Sequence, residues 1–316
     1  MIPYEIKRIL CLISLLVSAQ VTLNAEQVKI ALIKSRDILP YTQASDGFFE
    51  EIHKKNVTIV SKGYILKEGK ANSFISDLKE FDPDIILCFG TEAAKEISVY
   101  FTDTPIVFSL VSNPVKEGLI ISLGKRKQEI TGVTIDIPYD LQFNIIKEAL
   151  PSLKNIGIIY DPGKSGDIVS QAKEDAVRTG MHIAEFPIYD LKEISVVLED
   201  IESKVDVIWS IPDPTIYGNP TTSRAIMLST LKKNIPFIGF SKSFAKAGAL
   251  IGIYCEYGDI GKQTAALVMK VVEGKSASEI PVEHPEYIRI ALNLNVAKIL
   301  GLKIPEKFRE KADELF

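Results

Sequence analysis

Short apolar runs and helical stripes alternate along this chain from residue 28 onward. Residues 28–33 and 57–60 are apolar and β-branched, and 85–89, 106–111 and 131–135 read as further strands. Between them, 70–81 carries Phe74, Leu78 and Phe81 at helical spacing, and 91–101 opens on Thr91, a good helix N-cap. The alternation then restarts. Pro138 opens a helix to about residue 150, 156–160 is a strand, and 168–179 sets Ile168, Ala172 and Ala176 on one face before Gly180 stops it. Strands at 183–186, 205–209 and 237–240 are separated by helical segments. A further apolar run at 250–254 precedes an amphipathic helix at 259–273. This order predicts an α/β fold of parallel sheets with helices on both faces. Its two runs of strands predict two doubly wound lobes. A closed barrel is the structural alternative, disfavoured because 131–138 reads as a linking stretch.

The polar residues concentrate where strands end. Residues 106–111 lead into Ser112-Asn113-Pro114, 156–160 into Asp161-Pro162, and 205–209 into Ser210-Ile211-Pro212-Asp213-Pro214-Thr215. Proline stops a strand, and the Asn or Asp before it can hold the turn. For any one loop that turn-shaping role suffices. Several together point further, because open parallel sheets bind ligands outside the carboxyl ends of their strands. Gly90-Thr91-Glu92 lies at the same edge and begins a helix, whose first amides attract anions. So do the loop from Arg36 to Tyr41 and the loop around Phe240 and Ser241. Two such edges facing each other predict a ligand cleft. Tyr41, Tyr217 and Phe240 are its candidate rings, while Trp209 lies within a strand and reads as core.

The stretch GIIYDPGKSGD at 157–167 has the look of a phosphate-binding loop, but its spacing is wrong. Gly157 stands at the start of the strand, and Ile158 occupies the place of the first glycine. Ser165 therefore reads as a helix-heading hydroxyl in the cleft rather than a nucleotide ligand. Catalytic patterns are as thin. His53, His182 and His284 sit beside no nucleophile at a predicted strand end, Ser243 and Lys246 match only a common Ser-x-x-Lys spacing, and no Cys/His spacing suits zinc. No enzyme activity, cofactor or metal is expected.

Composition is that of a globular protein, with 46% hydrophobic and 25% charged residues and a net charge of −4. No basic stripe offers a footprint for nucleic acid. The amino terminus is distinctive. Lys7 and Arg8 precede an apolar run at 9–17 and then small and polar residues, the pattern of a secretory signal peptide over 1–25. Cleavage after Ala19 or after Ala25 both fit. A retained membrane anchor is the alternative, although the run is short of the ~20 residues a spanning helix needs. The expected setting is periplasmic or otherwise extracytoplasmic. Cys88 and Cys255 fall in separate apolar segments and read as free thiols rather than a bridge.

Four landmarks together resemble a known family: Ser112-Asn113-Pro114 with Gly118-Leu119 and Ile130-Thr131-Gly132-Val133-Thr134; Leu150-Pro151 before the strand ending Tyr160-Asp161-Pro162; Ala247-Gly248-Ala249-Leu250 followed by Tyr257-Gly258-Asp259-Ile260-Gly261; and Ile280-Pro281-Val282-Glu283 with the run Asn293 to Pro305. Over nearly the whole chain after the leader, this is similar to the ABC-transporter substrate-binding proteins of tryptophan and tyrosine type. The resemblance implies a type I periplasmic binding fold with crossovers near 132–137, 250–256 and 281–288. It assigns 26–134 plus 256–283 to lobe 1, and 135–255 plus 284–316 to lobe 2. It implies binding without chemistry: a monomer closes on a small amino-acid-like ligand, with aromatic amino acids among the candidates, and docks on an ABC permease. Carried across by position, Thr91, Ser112 and Asn113 would meet the ligand from the first lobe, and Asp161, Ser165, Asp213 and Thr215 from the second. Lys164 departs from the pattern and leaves the substrate open. A ligand sensor coupled to a signalling receptor, and an exported α/β enzyme, are the alternative functions.

Overall fold

The computed structural model describes residues 27–67, 71–123 and 128–316. The run read as a signal peptide lies outside the described residues, as does the start of the helix expected at 70. No helix among the described residues is long and apolar enough to cross a membrane, and they hold no cluster of metal-ligating side chains.

The first sheet is built from β1 (Gln27–Lys34), β2 (Thr58–Ile65), β3 (Ile85–Phe89), β4 (Ile106–Val111) and β5 (Ile130–Thr134), all parallel, in the order β2-β1-β3-β4-β5. Helices α1 (Leu39–Ile52), α2 (Ile75–Phe81) and α3 (Thr91–Tyr100) connect them. Because successive side chains of a strand point to opposite faces, the sheet feeds two cores. Ile30, Leu32, Ile85, Leu87 and Phe89 pack with Phe48 and Ile52 of α1 on one face. Ala31, Ile33, Ile86, Cys88 and Phe108 pack with Leu78, Ala93 and Ile97 on the other. Every residue of β3 and β4 is buried, as parallel strands covered on both faces require.

After β5 come α4 (Tyr139–Ala149), β6 (Asn155–Tyr160), α5 (Pro162–Thr179), β7 (His182–Pro187), α6 (Ile194–Asp200), β8 (Val207–Trp209), α7 (Pro220–Lys232), β9 (Phe237–Gly239), α8 (Lys242–Ala247) and β10 (Ile251–Tyr254). The chain then returns as α9 (Tyr257–Val272) and ends with β11 (Arg289–Leu292), α10 (Leu294–Ile299), α11 (Glu306–Lys311) and β12 (Glu314–Leu315). The second sheet runs β12-β11-β10-β9-β8-β6-β7. It is parallel except where β10 meets β11, because β11 re-enters from the side opposite to the other strands. Its two faces also carry separate cores: Ile156, Ile158 and Trp209 with Phe143 and Val169 on one, Ile159, Ile208 and Phe237 with Leu198 and Ile226 on the other.

Several boundaries differ from the sequence expectation for local reasons. The helix expected at 168 begins at Pro162, because the Asp161 side chain accepts from the Gly163 amide and proline suits the first helical position. Gly163-Lys164-Ser165 is thus a first helical turn, not a loop. Tyr41 likewise belongs to the first turn of α1, which starts at Leu39 directly after β1 and its short loop.

Helix α9 is far from β1 in sequence yet packs on α1 in the first lobe, where Ile260, Leu267 and Val268 join that core. The backbones touch. A β-carbon on Gly47 would stand 2.1 Å from the Gly258 carbonyl oxygen, and one on Gly261 would stand 1.9 Å from that of Ala44. Gly261→Ala should therefore lower stability by roughly 1–3 kcal/mol through overpacking. Gly166→Ala, inside α5 with open space around its β-carbon, should raise it by about 1 kcal/mol. Urea unfolding midpoints of the two variants check both signs.

Candidate functional site

The strand that carries Ser112 and Asn113 does not end straight. The register of β4 against β5 shifts between Ser109 and Val111, and Leu110, at the shift, has φ 59°. Asn113 follows at φ 41°. Left-handed backbone at a buried leucine costs energy and persists only where its surroundings hold it. Here Leu110 is packed into the core on the α1 side, and the chain after it is turned onto one acceptor, Asp136. The Ser112 hydroxyl donates to Asp136 Oδ1 at 2.7 Å, and the Asn113 amide donates to Oδ2 at 2.6 Å. Asp136 lies in the segment joining β5 to α4, the first passage between the sheets. Burial pushes its carboxyl above the ordinary range, while these two donors and nearby His284 pull the other way.

Helix α3 supplies a second polar edge. Gly90 precedes it at φ 91°, and a β-carbon there would stand 2.2 Å from the Tyr41 hydroxyl and 2.8 Å from Ser35 Oγ. The missing side chain lets Tyr41 reach the strand end. Gly90 at the N-cap position has no side chain to cap the helix, and Ser35 Oγ accepts from the first-turn Ala93 amide at 2.9 Å. Thr91 and Glu92 therefore present the positive end of the helix dipole. Arg36 stands beside it, paired with Glu92 at 2.6 Å. Burial, then the Glu92 charge, pushes the Tyr41 phenol up.

Both edges border one cavity of about 1210 Å³ between the two sheets. Thr91, Lys95 and Val99 of α3 line it from the first lobe, and Lys164, Ile168, Gln171 and Asp175 of α5 from the second. Asp136, Tyr139 and His284 lie where the lobes join. Tyr139 meets Trp209 edge-on with ring centroids 5.7 Å apart, and burial pushes its phenol strongly up. Lys116 of the β4–β5 connection and Asp167 of α5 form an exposed ion pair from wall to wall. Such a pair contributes at most about 1 kcal/mol.

The residues expected at the site from sequence fall in two groups. Tyr41, Thr91, Glu92, Ser112 and Asn113 line the cavity, with Gly90 directly behind Tyr41. Asp161, Ser165, Asp213, Thr215, Phe240 and Ser241 do not line it. The second-lobe polar residues bind one another instead. The Asp161 amide donates to Asp213 Oδ2 at 2.8 Å, the Thr215 hydroxyl donates to Asp161 Oδ2 at 2.7 Å, and the Thr215 and Ile216 amides donate to Asp213 Oδ1 at 2.9 Å each. This network joins the end of β6 to the end of β8 and leaves Asp213 buried. Ser165 is buried on α5, Ser241 caps α8 by accepting from the Phe244 amide, and Phe240 packs with Tyr217 and Phe244. Lys164 does line the cavity. Asp136, Tyr139, Gln171 and His284 line it without having been singled out for it.

If the missing side chain at residue 90 is what seats Tyr41, Gly90→Ala should destabilise the first lobe by roughly 1–3 kcal/mol through strain and overpacking. It should also make the Tyr41 ring more accessible. Chemical denaturation reads the first effect, and nitration of Tyr41 by tetranitromethane, located by peptide mass spectrometry, reads the second.

Comparison with known proteins follows the same geometry. A family model described as ABC transporter substrate binding protein matches residues 44–316. A tyrosine-binding protein of Clostridioides difficile (strain R20291) is 27% identical over 236 residues, covering 74% of this chain. The alignment spans 66% of that relative's length. The ligand-free, open structure of a Clostridium difficile substrate binding protein with adhesive properties superposes with a TM-score of 0.77 at 22% identity, covering 92% of this chain and 99% of that one. A Streptococcus pneumonia ABC domain in complex with L-Trp superposes with a TM-score of 0.64, also at 22% identity, covering 92% of this chain and all (100%) of the other. At these identities the two structures establish the fold.

Proposed function

The chain belongs to the ABC transporter substrate binding protein family, and on that premise we propose that it captures a small zwitterionic, amino-acid-like solute in the cavity between its lobes and hands it to a membrane permease. The family and the relatives named above bind solutes and are not enzymes. One observation carries the choice of ligand class. The same cavity is bordered by a carboxylate, Asp136, and by an uncapped helix start at Thr91 and Glu92 with Arg36 beside it. A zwitterion offers the complement of both: an ammonium for Asp136 and a carboxylate for the helix amides and the Thr91 hydroxyl. Ser112 and Asn113 hold Asp136 in place for that task.

Side-chain selectivity falls to Tyr41 and Tyr139, one from each side, with Ile137 and Ile168 supplying apolar surface. Two named neighbours bind tyrosine and tryptophan, so aromatic amino acids are the first ligands to try. In this reading Asp161, Asp213 and Thr215 act from behind, fixing the start of α5 and hence the second wall. The cavity is larger than the ~300–1000 Å³ of a filled ligand site, which fits a receptor that draws its walls together on its guest. The reading places the protein outside the cytoplasm, as a monomer with a permease as its membrane partner.

Thermal denaturation across the standard L-amino acids tests the proposal. A ligand at a hundred times its dissociation constant should add about 2.7 kcal/mol of stability. Asp136→Asn should weaken that ligand by about ten- to a hundredfold, the worth of a charge-assisted hydrogen bond. The unliganded melting point of the variant separates lost binding from lost fold. Tight binding that survives Asp136→Asn unchanged overturns the reading.

A further inference from the structure

His284 sits in the last passage between the lobes, and its backbone is fixed from both sides. The Glu283 amide donates to the Gly132 carbonyl at 3.0 Å, and the Thr134 amide donates to the Glu283 carbonyl at 2.9 Å, so this passage extends the first sheet beyond β5. From α9, Gln263 Nε2 donates to the His284 carbonyl at 3.0 Å, and Gln263 Oε1 accepts from the Glu286 amide at 3.0 Å. The ring is fixed as well. Its Nδ1 lies 2.9 Å from the Asp136 carbonyl oxygen and 3.1 Å from Thr134 Oγ1.

A carbonyl oxygen can only accept, so Nδ1 must carry the proton. In the neutral ring the lone pair is therefore on Nε2. That atom has no hydrogen-bond partner among the described residues, on a side chain that lines the cavity beside Asp136. A neutral Nε2 can receive only a donor, and the neighbouring carboxylate favours a donor that is positively charged.

We propose that His284 is a specificity-determining ligand contact: its neutral Nε2 accepts from the ligand's ammonium beside Asp136, and protonation of the ring expels the ligand. The inference rests on the zwitterion reading above and adds to it a second acceptor and a direction of pH dependence. Protonation turns the acceptor into a donor and sets a positive charge against the ammonium. Binding such a ligand disfavours the charged imidazole, so affinity falls as pH drops.

The surrounding charges do not reverse that sign. Asp136, from the first passage, is the acidic partner of the same ammonium. Glu283 is engaged by Lys270 and Gln263 of α9. In the second passage Cys255 stays a thiol, its pKa pushed to about 12 by burial and then by Asp136 and Glu256. Glu256 stands next to it in that passage, and Tyr139 of α4 stays a phenol. Asp136, pushed up by burial and pulled down by its donors and by His284, adds a separate acid loss when its own carboxylate is protonated.

Isothermal titration of the full chain with the tightest-binding standard L-amino acid, at about pH 8 and about pH 6, tests this, with the desamino analogue of the same compound as control. Wild type should bind more weakly at the lower pH by more than about twofold. His284→Asn keeps a donor for the Asp136 carbonyl but removes Nε2. It should bind more weakly at the higher pH and change less than about twofold between the two. His284→Gln, whose amide oxygen can stand where Nε2 was, should recover affinity at the higher pH without recovering the pH dependence. The desamino analogue should show no acid loss with any of the three proteins. An acid loss that persists in His284→Asn, or an affinity that rises in acid, overturns the inference while Asp136→Asn still tests the zwitterion reading beneath it. Failure of every ammonium-bearing ligand to bind overturns both.

Discussion

The carboxylate of Asp136 takes hydrogen bonds from Ser112 and Asn113 while its backbone carbonyl takes one from His284. One residue thus ties the polar end of β4, the first passage between the lobes and the last passage to a single point. The strand end pays for this with left-handed backbone at Leu110 and Asn113. The strain is held by the buried Leu110 side chain on one side and the carboxylate on the other. The floor of the cavity belongs to the chain segments that join the sheets.

The two walls differ in how they are made. On the first lobe, Gly90 gives α3 no N-cap side chain, Ser35 Oγ takes the Ala93 amide, and Thr91 and Glu92 line the cavity with Tyr41. On the second, Asp161 caps α5 and is itself held by Thr215, while Asp213 holds the Asp161 amide. The start of α5 is therefore satisfied internally, and the helix offers its side, through Lys164, Ile168 and Gln171, rather than its end. Of these two facing helices, it is α3 whose N-cap residue has no side chain to offer. The exposed pair Lys116–Asp167 crosses between the walls but is too weak to decide their separation.

Much of this was legible in the sequence because it is local. Strand–helix alternation gave two α/β lobes, since runs such as 85–89 and 106–111 are buried on both faces and their flanks carry turn residues. Thr91, Ser112 and Asn113 could be placed at strand ends by the Gly or Pro beside them. Asp161, Asp213 and Thr215 were recognised as polar strand-end residues, but nothing local said that they would bond to one another across two strands. Asp136 and His284 were hidden for the same reason. Each lies in a connecting stretch with no periodic pattern, and they stand 148 positions apart, meeting only because the chain passes between the lobes repeatedly. Gly90 stands at an expected strand end and Gly261 inside the expected 259–273 helix, but what a β-carbon at either would strike is set by distant chain.

The central claim is that a guest is held at the junction of the lobes by its charged ends. A crystal structure of the protein with its tightest-binding amino acid tests it most directly. The account predicts the ligand nitrogen within hydrogen-bonding distance, about 3 Å, of Asp136, its carboxylate at the start of α3, and α5 drawn against its other side. A ligand seated within one lobe alone, or with its carboxylate turned toward Asp136, would contradict the account.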